Sequence, residues 1–231
     1  MREKVVGILG GMGPESTVDF FSKVIKATPA QKDQDHLRII IDNNPKIPDR
    51  TLALLGKDKS PLEELKATIQ NLKRAGAELI AIPCNTAHYY YDELQESVNT
   101  PIINMISETV KYIHREFPHI KKIGLIATTG TIKMGIYHKA IKEMELIIPS
   151  GAAQEKVMET IYGEQGIKAG YGGNPRKYIL EVTEALVKGG AEAVLIGCTE
   201  VSLVLNQNDL SVPLIDPLQI LAEAVVREAR N

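Results

Sequence analysis

Short apolar runs alternate with amphipathic stretches along the 231 residues of this chain. Apolar runs separated by stretches of helical length are typical of parallel strands joined by crossover helices. The first half predicts helices at residues 16–26 and 61–75 and strands at residues 5–9, 37–41, 79–82 and 102–103. Helix 61–75 is the most clearly marked, because Ser60 can cap it, Pro61 suits its first position and Gly76 ends it.

The second half of the chain repeats this order of elements. Its pattern predicts helices at residues 137–144 and 175–188 and strands at residues 123–127, 146–148, 193–196 and 214–215. The starts also correspond, because VVGILGGMG at residues 5–13 parallels KIGLIATTG at residues 122–130. We therefore predict an α/β fold of two similar domains, each a parallel sheet of about four strands flanked by helices.

The two halves are most alike around the two cysteines of the chain. GAELIAIPCNTAH surrounds Cys84, and GAEAVLIGCTEV surrounds Cys198. We predict a first domain at residues 1–104 with Cys84 and a second at residues 105–216 with Cys198. The helical pattern at residues 217–231 suits packing against either half and is assigned to the first domain. Residues 149–175 break the repeat and predict a mobile loop, or a short helix followed by a flexible turn.

The charge of the chain is nearly balanced, with 27 basic and 29 acidic side chains spread along it. Nothing therefore indicates nucleic acid or a membrane surface, and a small molecule is the expected partner. No apolar run approaches the roughly 18 residues of a membrane-spanning helix, and the start MREKVVGILGG lacks a signal-peptide pattern. We expect a cytoplasmic protein with reduced cysteines, which are too few for a closed zinc site without histidines.

Both cysteines follow predicted strands and precede signals of a helix start. Ligands of open parallel sheets bind beyond the carboxyl ends of the strands, where both thiols are expected. Asn85 or Thr86, and likewise Thr199, can cap the following helix, whose amides and dipole favour a thiolate. A buried cysteine can also be a small apolar filler, but two at equivalent strand ends favour a chemical role.

Each cysteine has a different polar neighbour. His88 lies one helical turn after Cys84, where it can assist deprotonation of the thiol or only cap and pack. Glu200 follows Cys198 closely, and its charge opposes a thiolate unless it is a proton partner or hydrogen-bonds a bound ammonium group. The alternative for Glu200 is a purely structural carboxylate in the first turn of a helix.

Glycines and threonines mark the turns after the first strand of each half. GILGGMGP at residues 7–14 is not a dinucleotide fingerprint, because Ser16 stands where GxGxxG needs its last glycine. No GxxxxGK[ST] motif occurs either, so we predict a tight turn that brings backbone close to a small ligand. The corresponding turn of the second half begins with Thr128, and its hydroxyls and amides suit a carboxylate or an ordinary helix cap.

The loop NNPKIPDRT at residues 43–51 follows the second predicted strand on the same edge of the sheet. Two prolines stiffen this loop, so Arg50 can be held as a bidentate carboxylate clamp. The alternative is a solvated arginine paired with Asp49. Lys168, in the glycine-rich segment of the second half, can close over the same ligand or lie simply at the surface.

Taken together, the motifs GILGGMGP, NNPKIPDRT, PCNTAH, ATTGT, GIKAG, GCTEVS and VPLIDP resemble the aspartate/glutamate racemase family, specifically its aspartate racemase branch. The resemblance covers essentially the whole chain in the order of the family. It implies two α/β domains related by a pseudo-twofold axis, with the active site in the cleft between them. It also implies a homodimer that uses neither pyridoxal nor a metal and acts on a small dicarboxylic amino acid.

The resemblance further implies a role for each site residue. Cys84 and Cys198 would be the two bases that racemise aspartate, with Cys198 acting on the L-enantiomer and Cys84 on the D-enantiomer. Arg50 and Lys168 would hold the distal carboxylate. The residues around the amino-acid head group would be Met12, Asn85, Thr86, Thr128 and Thr199. Glu200 joins these candidate substrate contacts because of its own carboxylate, which can accept a hydrogen bond from the ammonium.

Two departures from glutamate racemases bear on specificity. This chain has GCTE where those enzymes show GCTH, and GGMG where they show a DSG-type start. Aspartate is therefore favoured, while glutamate or a broader range stays open. Other readings are a hydantoin racemase, a maleate isomerase, or a two-lobed amino-acid binding protein without turnover. A malonate decarboxylase needs one thiol and a redox protein usually shows CxxC, so both are less favoured.

Overall fold

Two separate four-stranded sheets organise the chain, and the computed structural model describes its residues 3–231. Met1 and Arg2, the first positions of the predicted first domain, lie outside the described residues. The first sheet contains β1 (Val6–Gly10), β2 (Ile39–Asn43), β3 (Leu79–Ala81) and β4 (Ile102–Ile103). The second sheet contains β5 (Lys122–Ala127), β6 (Glu145–Ile147), β7 (Ala193–Gly197) and β8 (Leu214–Ile215).

The two sheets share one topology. The strand order is β2-β1-β3-β4 in the first sheet and β6-β5-β7-β8 in the second, and all neighbouring strands are parallel. Strands β1 and β7 are buried along their whole length, as expected of strands covered by helices on both faces. The predicted fold of two similar α/β domains with four-stranded parallel sheets is confirmed.

Helices connect and cover the strands. The α-helices within residues 3–231 are α1 (Pro14–Ala27), α2 (Arg50–Leu54), α3 (Leu62–Arg74), α4 (Tyr91–Glu96), α5 (Met105–Glu116), α6 (Thr129–Lys133), α7 (Ile136–Ala140), α8 (Ala152–Tyr162), α9 (Gly173–Lys188) and α10 (Pro217–Arg230). No helix in this described part is both long enough and apolar enough to cross a membrane.

Two hydrophobic clusters enclose the first sheet. Phe20 of α1 and Leu221 of α10 pack in one cluster with Val6 of β1, and Leu65 of α3 packs in another with Ile80 of β3. Each of these side chains is fully buried and contributes about 1.5–3 kcal/mol through removal from water. The C-terminal helix α10 therefore stabilises the sheet of the first half.

The second sheet is enclosed in the same way. Val157 of α8 and Ile179 of α9 belong to one cluster, and Ile113 of α5 and Tyr137 of α7 belong to another. Helix α5 also contributes Met105 to the core of the first half. Because α5 joins both cores, the division of the chain at residues 104 and 105 stays a prediction.

The structure resolves the irregular segment 149–175 into defined elements. It contains the eleven-residue helix α8, a short 3₁₀ helix (Ile167–Ala169) and the start of α9. A helix followed by a turn, one of the two predicted alternatives, is therefore correct. The helix predicted at residues 137–144 is shorter than expected, because the backbone becomes extended at Ile141 and ends α7 there.

Candidate active site

Both cysteines lie at the carboxyl ends of strands, where the two halves of the molecule face each other. Cys198 directly follows β7, and Cys84 follows β3 after a short connection. Both are free thiols and each is 5% exposed. They line one space, which we call the chamber, together with the residues Met12, Arg50, Asn85, Thr86, Thr128, Tyr162, Lys168, Thr199 and Glu200.

All ten residues that the sequence predicted for the site therefore meet in one place, although their roles remain a prediction. The chamber has a volume of about 10 Å³, which is close to the space for one water molecule. A larger cavity of about 360 Å³, which we call the outer cavity, adjoins it and shares Arg50, Lys168 and Glu200 with it. An amino acid that reaches the sulfur atoms must therefore widen the chamber.

Cys198 is held as a protonated thiol. Its Sγ donates a hydrogen bond to Oε2 of Glu200 over 3.1 Å. Burial, and next the negative charge of Glu200, raise the pKa of the Cys198 thiol well above its ordinary value. Cys198 can therefore donate a proton at neutral pH, whereas its thiolate is disfavoured.

Glu200 connects Cys198 to the cation of Lys168 and to the other half of the molecule. Its Oε1 accepts hydrogen bonds from Nζ of Lys168 at 2.8 Å and from the backbone amide of Gly13 at 2.9 Å. Burial raises the pKa of Glu200, but the ammonium of Lys168 outweighs it and holds that pKa below its ordinary value. Glu200 is therefore an ionised partner of the thiol, and Lys168 is not a free surface lysine.

Cys84 has a cation as its neighbour. Arg50, which begins α2, is 7% exposed and lies close enough to Cys84 to hydrogen-bond its sulfur. Burial lowers the pKa of Arg50, but the charges of Cys84 and then Asp49 raise it above its ordinary value. A cation therefore stands beside one sulfur atom and an anion beside the other.

The guanidinium of Arg50 is only partly satisfied by protein groups. Its Nη1 donates to the backbone carbonyls of Ile47 and Pro48, whereas Nε has no partner. Asp49 instead caps α2 through Leu52 and accepts a hydrogen bond from Tyr162. The alternative of a solvated arginine paired with Asp49 is therefore wrong.

His88 does not act on the thiol of Cys84. Its Nδ1 bonds the backbone carbonyl of Cys84 at 2.8 Å, and its Nε2 accepts the backbone amide of Met105 at 3.0 Å. Burial lowers the pKa of His88 despite the opposing effect of the backbone of Cys84 and Ile103, so the ring is neutral. The packing and capping alternative is therefore correct, because His88 ties the Cys84 backbone to the start of α5.

The predicted helix caps after the cysteines are wrong. The segments there are 3₁₀ helices, Thr86–Tyr90 and Val201–Leu203, and neither has a side-chain cap. Glu200 precedes the second one rather than lying in its first turn, and it contacts the chamber. Burial and the nearby charges of Glu200 and Lys168, rather than a long helix dipole, therefore determine the proton affinity of the Cys198 thiol.

A cluster of four buried threonine hydroxyls joins the halves beside the chamber. Oγ1 of Thr51 donates to Oγ1 of Thr128 over 3.0 Å, and Oγ1 of Thr86 lies 2.9 Å from Oγ1 of Thr131. Thr86 and Thr128 also contact each other at 3.3 Å. Thr128 also caps α6, so the ordinary capping role predicted for this turn is confirmed, whereas its contact with a carboxylate stays a prediction.

The glycine-rich turn after β1 brings backbone to the site as predicted. Gly11 has φ of +95°, and a Cβ there would lie 2.4 Å from the carbonyl carbon of Asn44. A Cβ at Gly13 would lie 3.0 Å from Oε1 of Glu200. The turn therefore needs glycine for its conformation at Gly11 and for the close approach to Glu200 at Gly13.

Several residues of the site gave no signal in the sequence. Tyr162 lines the chamber from the end of α8, inside the segment that broke the repeat. Thr51 and Thr131 stand in turns that were predicted, but their contacts cross between halves. Among residues 3–231, no group of three or more histidine, cysteine, aspartate or glutamate side chains could hold a metal ion.

The fold and the site define a class of protein. Two α/β domains of one topology each place a buried free cysteine beside a shared chamber, an arrangement suited to acid–base chemistry on two faces of a ligand. The chain matches the family model described as Asp/Glu/Hydantoin racemase over residues 9–225, and it belongs to that family. The resemblance carried by its motifs is thereby confirmed, and the chain is an isomerase-type amino-acid racemase by family.

Two relatives show how far the similarity extends. The protein described as broad specificity amino-acid racemase RacX, from Bacillus subtilis, is 31% identical over 240 residues, with 96% of each chain covered. Glutamate racemase from Aquifex aeolicus is 30% identical over 164 residues, which cover 69% of this chain and 62% of the relative.

Solved structures show the same architecture. Picrophilus torridus aspartate racemase has a TM-score of 0.84 and 31% identity, with 98% of this chain and 94% of that chain covered. An aspartate racemase homologue from Pyrococcus horikoshii has a TM-score of 0.76 and 26% identity, with 99% and 100% covered. Glutamate racemase from Francisella tularensis, at 19% identity, shares the fold with a TM-score of 0.70 over 99% of this chain and 81% of that chain.

Proposed function

We propose that this protein interconverts L- and D-aspartate through two cysteine bases, without a cofactor. The observation that carries the proposal is the placement of Cys84 and Cys198, from different sheets, on one buried chamber. Inversion of a stereocentre through a planar carbanion requires proton removal from one face and proton delivery to the other. Two thiols contributed by the two halves of the molecule meet this requirement.

The charges around the sulfur atoms support a resting state with one thiolate and one thiol. Cys198 keeps its proton, because burial and Glu200 raise its pKa. Arg50 places a positive charge beside Cys84, so the two sulfur atoms have neighbours of opposite charge. Cys84 is then the base and Cys198 the acid of the first turnover.

The proton balance of one turnover follows from this state. With D-aspartate bound, the Cys84 thiolate removes the α-proton and becomes a thiol, leaving a carbanion. Cys198 donates its proton to the opposite face, and L-aspartate leaves while Cys198 is a thiolate. The reverse reaction begins with the Cys198 thiolate and L-aspartate, in the order suggested by the related glutamate racemases.

The charges of the site also support a dicarboxylic substrate. Arg50 and Lys168 line both the chamber and the outer cavity, so they can hold a distal carboxylate that enters from outside. Glu200 would accept a hydrogen bond from the substrate ammonium. The head group would be surrounded by Met12, Asn85, Thr86, Thr128 and Thr199.

Carbanion formation is the difficult step, and the chamber supplies the conditions for it. Amide and hydroxyl donors of Asn85, Thr86, Thr128 and Thr199 are already positioned, so they need no reorganisation as charge develops. Desolvation of a substrate bound in this chamber would strengthen these interactions. The protein thus relies on hydrogen bonds and desolvation in place of an electron-withdrawing cofactor.

A broad-specificity amino-acid racemase is the second candidate. It is favoured by the 31% identity to the broad specificity racemase of Bacillus subtilis over 96% of both chains. The two candidates differ in whether Arg50 and Lys168 are needed for turnover. Rates with aspartate, glutamate and neutral amino acids at equal concentrations separate them, because only the aspartate proposal requires a strong preference for a distal carboxylate.

The proposal includes a cytoplasmic homodimer. Two unpaired cysteines, both reduced, are typical of proteins in a reducing compartment, and the family resemblance supports the dimer. Light scattering of the purified protein tests the assembly, since a single chain has a mass of 25.4 kDa and a dimer has twice that mass.

The direct test is incubation of the reduced protein with L-aspartate in deuterated water, without added cofactor. Proton NMR follows replacement of the α-proton by deuterium, and circular dichroism follows loss of optical activity. We expect both signals at matching rates. Absence of both would contradict the proposal and leave the two-lobed binding protein, which predicts aspartate binding without proton exchange. The Cys84→Ala/Cys198→Ala double variant is the control for adventitious exchange.

A further inference from the structure

The orientation of one amide in the chamber is set by a residue of the other half. Asn85 follows Cys84 in the first half, and its Oδ1 accepts a hydrogen bond from the phenol of Tyr137 on α7. Tyr137 does not line the chamber and belongs to a core cluster of the second half. The contact therefore joins the two halves, and Tyr137 itself is not part of the chamber wall.

Tyr137 is suited to be a permanent donor. Its side chain is fully buried, and burial raises the pKa of the phenol far above its ordinary value, an effect that Thr109 only partly offsets. The phenol is therefore neutral at any physiological pH and carries one O–H proton to donate. Because a buried hydroxyl without a partner is costly, the proton is directed to Oδ1 of Asn85.

The other end of the Asn85 amide is open. Asn85 is 2% exposed, and its buried Nδ2 has no hydrogen-bond partner in the protein. A primary amide carries two donor protons on this nitrogen. Among the described residues of the chamber, Asn85 thus presents an unused donor next to Cys84, while its acceptor is occupied by Tyr137.

We propose that Tyr137 is a positioning residue, which holds the Asn85 amide with Nδ2 as the group that donates to the bound amino acid. This inference rests on the proposed function, because that function gives the donor its partner, an α-carboxylate or the developing carbanion. An asparagine amide is nearly symmetric in shape, so only its hydrogen bonds decide which end faces a ligand. If the side-chain amide of Asn85 were flipped so that Oδ1 and Nδ2 exchanged places, its oxygen would face the ligand and repel an anion.

The positioning depends on the relative placement of the two halves. Asn85 belongs to the first half and Tyr137 to a core cluster of the second, so their hydrogen bond requires the two halves to stay in contact.

The test is a double-mutant cycle of Tyr137→Phe, Asn85→Ala and the double variant, with Tyr91→Phe as the matched control. The Tyr91 hydroxyl also donates one hydrogen bond, to the carbonyl of Ile102, outside the chamber. Aspartate racemisation gives kcat and KM for each variant, and thermal unfolding reports their stability. The NMR signal of the Asn85 side-chain amide, assigned by its loss in Asn85→Ala, provides a readout independent of activity.

We expect Tyr137→Phe to lower kcat/KM about tenfold, mainly through KM, and Tyr91→Phe to leave it within about twofold of the wild type. On the Asn85→Ala background, Tyr137→Phe should have no further effect on kcat/KM. The amide signal of Asn85 should move in Tyr137→Phe and stay in Tyr91→Phe.

An undiminished effect of Tyr137→Phe on the Asn85→Ala background would overturn the inference, because Tyr137 would then act independently of the amide. An unmoved amide signal in Tyr137→Phe would overturn it as well. If Tyr137→Phe moves the amide signal of Asn85 but the wild-type protein never racemises aspartate, only the proposed function is contradicted.

Discussion

Glu200 accepts a hydrogen bond from the thiol of Cys198 over 3.1 Å, so the second cysteine of the chain has an anion as its immediate neighbour. The first cysteine has the cation of Arg50 instead. The duplicated fold therefore carries two chemically different thiols. The difference comes from residues that the two halves do not share.

Removal of the Glu200 charge should make Cys198 more acidic. Glu200→Gln keeps the shape of the side chain, and without its anionic neighbour the pKa of Cys198 should fall from well above 9.0. Only the thiolate is alkylated by iodoacetamide. At a fixed pH below the pKa of Cys198, each decrease of that pKa by one unit should therefore raise the reaction rate about tenfold. The Cys84→Ala background leaves Cys198 as the single thiol to measure.

The matched control for this experiment is Glu181→Gln. Glu181 also pairs with a lysine of the second half, Lys156 at 2.6 Å, but at the surface. We expect it to leave the alkylation profile unchanged. An identical pH profile of Glu200→Gln and the parent protein would show that Glu200 does not control the proton of Cys198.

Single-cysteine variants should separate proton exchange from inversion. Cys198→Ala and Cys84→Ala should each lower racemisation by about 10²-fold or more, since each lacks one of two acid–base groups. In deuterated water, Cys198→Ala should still exchange the α-proton of D-aspartate without inverting it, and Cys84→Ala that of L-aspartate. Mass spectrometry combined with chiral chromatography measures both properties. The opposite enantiomer preference would reverse the proposed assignment of the two bases.

Loss of the guanidinium should affect dicarboxylic substrates most. Arg50→Ala should raise KM for aspartate about tenfold to a hundredfold, the range expected when a charged hydrogen-bond donor is removed, and should raise KM for alanine much less. Any effect of Arg50→Ala on kcat that arises through Cys84 should be the same for aspartate and alanine. Lys46→Ala, an exposed cation of the same loop, is the control and should leave both values unchanged. Equal changes in KM for the two amino acids would remove Arg50 as the distal clamp.

His88 should make the fold less stable in acid. Burial lowers the pKa of His88 in the folded protein below the 6.5 of the unfolded chain. Between these two pKa values the unfolded chain binds a proton that the folded chain does not. The His88 contribution is therefore fully present above pH 6.5 and declines as the pH falls, by up to about 1.4 kcal/mol per unit. Urea unfolding at a series of pH values measures it.

In His88→Gln this part of the pH dependence should be absent, whereas His119→Gln, an exposed control, should retain it. Protonation of His88 would also require loss of the bond that its Nε2 accepts from Met105. If the slope with pH is the same in His88→Gln as in the wild type, another group is responsible for acid destabilisation.

The sheets could be predicted from the sequence because each strand is a short apolar run that one local pattern describes. The meeting of the cysteines, Arg50 and Lys168 also followed, since carboxyl ends of parallel strands and their loops converge on one edge. The charge of each residue was visible in the sequence. The sequence did not show which charge lies beside which sulfur atom, because this depends on the side-chain conformations of Arg50 and Glu200.

The contacts between halves could not be predicted for a physical reason. Tyr137 and Tyr162 lie in short or irregular segments, and their hydroxyls bond Asn85 and Asp49 of the other half. No local periodicity encodes such a pair. The helix-cap prediction after the cysteines failed for a related reason, because short 3₁₀ helices follow both of them and side chains there turn toward the chamber.

The small volume of the chamber has a consequence for affinity. Polar contacts between the halves, from Gly13 to Glu200 and from Thr51 to Thr128, involve residues of the chamber that an amino acid must occupy. Some of these bonds must open before a ligand enters, so hydrogen bonds within the protein compete with ligand binding. Its apparent dissociation constant then exceeds the intrinsic one by the inverse of the open fraction. Removal of the Thr51 hydroxyl, which bonds Thr128 but does not line the chamber, should therefore tighten binding.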